Sequence, residues 1–296
     1  MRDEFARCHP ALNFLYYLLV IGVTMFYMHP VLTGISGAAV VAYLIYLRGW
    51  RGFARVCVLA FPVILLATVI NPMFSHQGLT ILGYLPTGNP ITLESMVYGL
   101  FAGAMMGVVI LWFSTFHAVM TRDKMVYLFG KGLPALALML SMVLRFIPQF
   151  YTQMERVDVA QRCVGRDIRT GSWWERLKKG IHVLSIMVTW SLENSVDTAD
   201  SMRTRGYGLR GRTMYHAYRW DGRCWFLAAG MCLCFCVVMV GIFTKNLHVL
   251  YYPVWRMNGE SPIAWLCYVF YGILCCLPLI LNVVEDLKWR YWMCKI

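Results

Sequence analysis

Charge is what this chain has least of. Asp, Glu, Lys and Arg make up 14% of its 296 residues and hydrophobic residues 59%, for a mean hydropathy of +0.57. A soluble domain carries about 25% charged residues, so this balance excludes one and indicates a polytopic membrane protein. A nucleotide-binding loop is also absent. No Gly-x-x-x-x-Gly-Lys-Ser/Thr stretch occurs, and Gly130-Lys131-Gly132 lacks the hydroxyl that would hold Mg²⁺, so the chain is not itself an ATPase. The apolar runs contain no Asp, Glu, Lys or Arg apart from Arg55 near one end, whereas an ion-coupled carrier keeps ionisable groups within its spans. The seven histidines are dispersed, none beside a Cys or carboxylate at ligand spacing, so neither a metal nor a cofactor is expected. Of the eleven cysteines, Cys232, Cys234 and Cys236 are spaced by two, which turns each about 200° from the next on a helix. They cannot share a ligand face, and they read as small apolar filler.

The runs that are present lie near residues 11–28, 31–47, 53–70, 95–120, 224–244 and 263–284. A bilayer core takes about 20 apolar residues per helix, so six spans are expected. The first run is not a cleavable signal peptide, because its leading segment is of mixed charge and no small-residue cleavage site follows. With the N-terminus inside, every one of the 27 Lys and Arg falls in the cytosol except Lys245 and Arg256. That asymmetry orients the chain with both termini cytoplasmic. It also accounts for the net charge of +12 through topology and anionic lipid, so nucleic acid need not be a partner.

Three regions follow: N-terminal spans over residues 1–133 with an external loop at 71–92, a cytoplasmic helical region over 134–222, and a C-terminal span pair with a cytoplasmic tail over 223–296. The external loop sets β-formers between Gly and Pro, from Gly78 to Pro90, as a hairpin or re-entrant loop does. In the central region a helix break or kink is expected near Pro148. Ser172 and Glu175 have the spacing of a capping box that starts a long helix. Along that helix Leu177, Ile181, Leu184, Val188 and Leu192 recur at intervals of three and four, forming an apolar stripe.

The central region holds two similar signatures, Ala160-Gln-Arg-Cys-Val-Gly165 and Ser201-Met-Arg-Thr-Arg-Gly206, each with an Arg three residues before a Gly. Capping explains part of this pattern. Gly165 and Gly206 suit the left-handed residue past a helix end, and Arg162, Arg203 and Arg205 complement the helix dipole. Capping does not require the repeat 41 residues on, nor the small residues Ala160, Cys163, Ser201 and Thr204 around each Arg. A guanidinium left unobstructed by small neighbours offers a planar five-donor fork to a partner's carboxylates and carbonyls.

On these residues the chain resembles the transmembrane T component of energy-coupling factor (ECF) transporters, the EcfT/CbiQ family of prokaryotic vitamin and metal-ion importers. In that family two Ala-Arg-Gly signatures end two coupling helices. Thr204-Arg205-Gly206, followed by Tyr207 and Gly208, matches the second, and Cys163-Val164-Gly165 matches the first with Val164 in place of the arginine. Either Arg162 or Arg166 substitutes there, or the first contact is mainly apolar. The resemblance implies an all-α, noncatalytic membrane scaffold that joins two ABC-type ATPases, which bind the ATP, to a substrate-binding S component in the bilayer. The signature residues would seat in the ATPases, and Leu177, Ile181, Leu184 and Val188 would meet the S component. The competing enzyme reading is a membrane prenyl- or phosphotransferase. It would use Asp197 and Asp200, one helical turn apart, as a Mg²⁺-diphosphate site, with Arg203 and Arg205 on phosphate.

Overall fold

The computed structural model describes residues 3–75, 78–84, 90–132, 134–167, 169–207, 218, 220–244, 246–247, 249–251, 256–257 and 261–293. Gly208, the loop tip at 85–89, Lys245 and the side chain of Arg256 lie outside what is described. Along the chain run α1 (Glu4–Arg7), α2 (Pro10–Phe26), α3 (Pro30–Phe74), β1 (Ile81–Tyr84), β2 (Pro90–Thr92), α4 (Leu93–Val119) and α5 (Arg122–Gly132). They are followed by α6 (Pro134–Cys163), α7 (Trp173–Thr204), α8 (Gly222–Phe243), β3 (Val249–Leu250), β4 (Arg256–Met257) and α9 (Pro262–Met293). Proline opens α2, α3, α6 and α9, where its fixed φ suits the first turn and its missing N–H costs nothing. The chain divides into two units, residues 1–125 with 218–296, and residues 126–217.

The first unit carries the apolar helices of an all-α polytopic membrane protein. Among the described residues, α3, α4, α8 and α9 are each long and apolar enough to cross a bilayer, while α2 is apolar but has only 17 residues. Two of the six expected runs share α3. At Gly49 the backbone leaves the helical region (φ 69°, ψ 179°), so residues 30–48 and 50–74 are two helices meeting at a bend. A positive φ there is open to Gly at little steric cost. Of the hairpin or re-entrant loop expected between α3 and α4, the structure forms a hairpin, with β1 antiparallel to β2. A second hairpin, β3 with β4, joins α8 to α9.

Close packing of α4 on α3 comes from Gly99, Gly103 and Gly107, one per turn on one face. A Cβ on Gly99 would lie 2.9 Å from the Ala67 carbonyl oxygen, and one on Gly103 would lie 2.9 Å from that of Ile64. In lipid, where apolar surface gains nothing by leaving the solvent, such small-residue seams and interhelical hydrogen bonds hold helices together. The hydrogen bonds are here too. Trp112 Nε1 donates to Ser36 Oγ at 2.7 Å, and the Thr24 hydroxyl meets Tyr271 at 2.8 Å and Ser36 at 3.3 Å, linking α2, α3, α4 and α9.

The N-terminal segment is tied down by polar groups. Asn282 Oδ1 accepts from the Glu4 and Phe5 amides at 3.0 and 3.3 Å, and its Nδ2 donates to Asp3 at 2.8 Å. Lys124, which is buried, donates to the carbonyls of Ala6 and Val119. Burial pushes its ammonium below the ordinary lysine range.

The second unit contains α6 and α7. Of the break or kink expected near Pro148, a break is not found: α6 runs through it from Pro134 to Cys163. The start of α7 follows expectation, with Glu175 Oε2 accepting from the Ser172 amide at 3.3 Å. A small core of Val157, Val183 and Met187, flanked by Phe150, Ile186 and Trp190, joins the two helices. Phe150 packs edge-on against Trp190 at 5.4 Å, and Arg166, beyond the end of α6, reaches His182. Rising numbers on α6 thus meet falling numbers on α7, so the helices are antiparallel.

Candidate functional site

Both signatures build the same helix end. At the first, Gly165 takes φ 79°, its amide donates to the Arg162 carbonyl at 2.9 Å, and the Arg166 amide donates to that of Gln161 at 2.8 Å. At the second, Gly206 takes φ 79°, its amide donates to the Arg203 carbonyl at 3.0 Å, and the Tyr207 amide donates to that of Met202 at 3.0 Å. These are paired Schellman motifs, in which a left-handed residue lets two amides satisfy carbonyls the helix leaves open. The capping role read for the glycines is therefore met in full. The geometry also aligns the two ends residue by residue: Arg162 stands where Arg203 does, Cys163 where Thr204 does, and Val164 where Arg205 does.

The side chains differ where the backbones agree. Arg203, Thr204 and Arg205 are exposed, and among the described residues neither arginine forms an ion pair. Thr204 Oγ1 turns back to the Ser201 carbonyl at 2.9 Å, leaving the two guanidiniums as the polar features of that end. At the first end Arg162 pairs with Asp158 one turn back, and its Nε lies 3.9 Å from Asp167 across the turn. Two carboxylates thus neutralise it locally. Val164 is 71% exposed at the outermost position, with Cys163 exposed beside it. Arg166 sends Nη1 3.2 Å from His182 Nε2, onto the flank of α7 rather than outward along α6.

The antiparallel pairing sets the spacing of the two ends. Nine residues join α6 to α7, and Lys179 Nζ donates to the Asp167 and Thr170 carbonyls at 2.9 Å each, so the first end sits against the start of α7. The second end closes α7. Arg166 reaches His182, so the first end lies beside the stretch from Lys179 to His182, and the roughly 25 residues from there to Arg205, at 1.5 Å each, put the two about 37 Å apart.

The face of α7 that packs on α6 carries Val183 and Met187, so Leu177, Ile181, Leu184, Val188 and Leu192 remain exposed. Asp197 and Asp200 are exposed as well. Among the described residues no third His, Cys, Asp or Glu joins them in a cation-holding group, as a diphosphate site requires. Sequence reading missed the carboxylate shield on Arg162. Its signal was the four-residue spacing from Asp158 to Arg162.

Comparison with known proteins accords with this layout. Residues 5–215 match the family described as CbiQ, cobalt transport protein. Over 86 residues the chain is 40% identical to an energy-coupling factor transporter transmembrane protein EcfT of Bacillus selenitireducens, covering 29% of this chain and 32% of the relative. The EcfT of Listeria innocua is 38% identical over 86 residues, with the same coverage. That of Lactobacillus helveticus is 33% identical over 99 residues, covering 33% of this chain and 36% of the relative. The chain thus aligns with about a third of the length of these curated relatives. With the family match reaching from the N-terminal helix past both helix ends, this multi-pass membrane protein belongs to the CbiQ cobalt transport protein family.

Proposed function

We propose that this chain is the noncatalytic transmembrane coupling subunit of an ECF-type importer in a prokaryotic cell membrane. On this reading it joins two cytosolic ABC-type ATPases to a membrane-embedded S component that selects a vitamin or metal ion. The carrying observation is the pair of matching helix ends about 37 Å apart on one antiparallel helix pair, which offers two similar seats for two similar partners. The second seat docks through Arg205 and Arg203, whose forks are free to meet carboxylates and carbonyls, with Thr204 and Gly206 shaping the tip. The first seat docks through Val164 and Cys163 over Gly165, with Arg162 neutralised by its own carboxylates and Arg166 turned aside. The exposed stripe Leu177, Ile181, Leu184 and Val188 is assigned to the S component, because a row of apolar side chains left bare by α6 needs cover. Both termini face the cytosol, in keeping with the placement of the basic residues.

The test is affinity purification of the tagged full chain from its native membrane in mild detergent. Two ABC-type ATPase polypeptides are expected in the eluate, with ATP hydrolysis that the chain alone lacks. A chain that elutes alone and transfers a lipid diphosphate would establish the enzyme reading instead.

A further inference from the structure

Beside the first helix end lies a groove of about 340 Å³, lined by Gln161 and Arg166 after the core of α6, and by Lys178, Lys179 and His182 on α7. We propose that this groove binds the phosphate headgroup of an anionic phospholipid. Arg166, Lys178 and Lys179 converge on it, and among the described residues none of the three forms an ion pair. The nearby carboxylates are engaged elsewhere. Asp158 and Asp167 hold Arg162, Asp167 Oδ1 also accepts from the Arg169 amide at 2.9 Å, and Glu175 caps α7.

The bonds that line the groove orient its cations without neutralising them. Carbonyl oxygens of Asp167 and Thr170 hold Lys179 Nζ, and His182 Nε2 steadies one arm of the Arg166 fork, leaving its other donors for a ligand. Three positive charges, Arg166 and Lys179 held by these bonds and Lys178 beside them, around a concavity of this size are a site for a compact anion.

The neighbouring residues favour lipid over a soluble phosphate. Trp173 and Trp174 are exposed one turn before Lys178, and Trp174, Lys178 and His182 follow at intervals of four along one row of the helix. Indoles beside lysines along one helix are the chemistry of a helix lying at the headgroup level. A soluble anion has no use for two exposed indoles.

The experiment titrates the full chain in mild detergent with phosphatidylglycerol and, separately, phosphatidylcholine, reading bound lipid by native mass spectrometry. Phosphatidylglycerol is expected to be retained in preference to phosphatidylcholine. Lys178→Gln, which removes no bond seen among the described residues, should weaken retention about fivefold, as loss of one cation near an anionic headgroup does. Lys178→Arg should restore it, and millimolar inorganic phosphate should leave it unchanged. Equal retention of both lipids, an unaffected Lys178→Gln variant, or displacement by inorganic phosphate would each overturn the assignment. So would loss of co-purifying ATPases from Lys178→Gln with lipid binding intact, which would give the groove to a protein partner. Failure of the lipid assignment leaves the coupling role standing, because the variant and readout are separate from the docking tips.

Discussion

The two helix ends are alike in backbone and unlike in charge. Gly165 and Gly206 share φ 79° and the same two hydrogen bonds, yet the second end presents two arginines without an ion pair among the described residues and the first an exposed valine above a neutralised one. If these ends dock the two proposed partners, a shared backbone shape would define two seats and the difference in charge would make them energetically unequal. Seating at the second should depend on charge-assisted hydrogen bonds, and seating at the first on shape and apolar contact.

Charge reversal at the second seat is the strongest way to break the comparison. Arg205→Glu should lower ATPase co-purification more than tenfold, since losing a hydrogen-bonded charge at an interface costs about 2–5 kcal/mol, while Val164→Glu should lower it far less. Pull-down of the two variants side by side decides this, and equal retention would count against unequal seats.

Thiol labelling gives a second contrast. Cys163 is exposed at the first tip, so a water-soluble maleimide should modify it readily in the isolated chain and slowly once the ATPases are bound. Cys8 is the internal control. Burial pushes its thiol up to about 11, leaving roughly a hundredfold less thiolate at neutral pH than an ordinary thiol has. Its labelling should rise about tenfold per pH unit from pH 7 toward 11, and peptide mapping after timed quenching reads both sites.

The glycines should respond alike at the two ends. Gly165→Ala and Gly206→Ala each place a Cβ on a left-handed residue, so each should cost about 1 kcal/mol. Thermal unfolding in detergent would register this as a small and similar drop for both. Smallest of all, Val164→Arg should leave assembly within about twofold, because the residue is exposed and its matched position at the second end already holds Arg205. Collapse of assembly in that variant would mean the first seat is built specifically for an apolar side chain.

Much of this was legible before any coordinates. The apolar runs, the glycine ends, the capping box and the hairpin between α3 and α4 all rest on local chemistry that short stretches of sequence carry. What was not legible depends on neighbours. Pro148 signals a break, but removing one amide donor leaves the rest of the ladder intact, and α6 passes through it. Gly99, Gly103 and Gly107 show their purpose only when the carbonyls of Ile64 and Ala67 are seen against them. Of the two carboxylates that shield Arg162, Asp158 is signalled by helical spacing, whereas Asp167 arrives by way of the turn. A break between the runs at 31–47 and 53–70 was legible, but not that one residue, Gly49, makes it within otherwise continuous helix.

The contact between α6 and α7 has a mechanical consequence. It buries only Val183 and Met187 of α7's 32 residues, a little before the middle of the helix, against Val157 near the end of α6, so the two tips lie at unequal distances from it. From there to Arg205 is about 20 residues, or roughly 30 Å. A tilt of about 10° would sweep the far tip through roughly 5 Å while the near tip, about 9 Å from the contact, travels about a third as far, so the same rocking would give unequal strokes at the two ends.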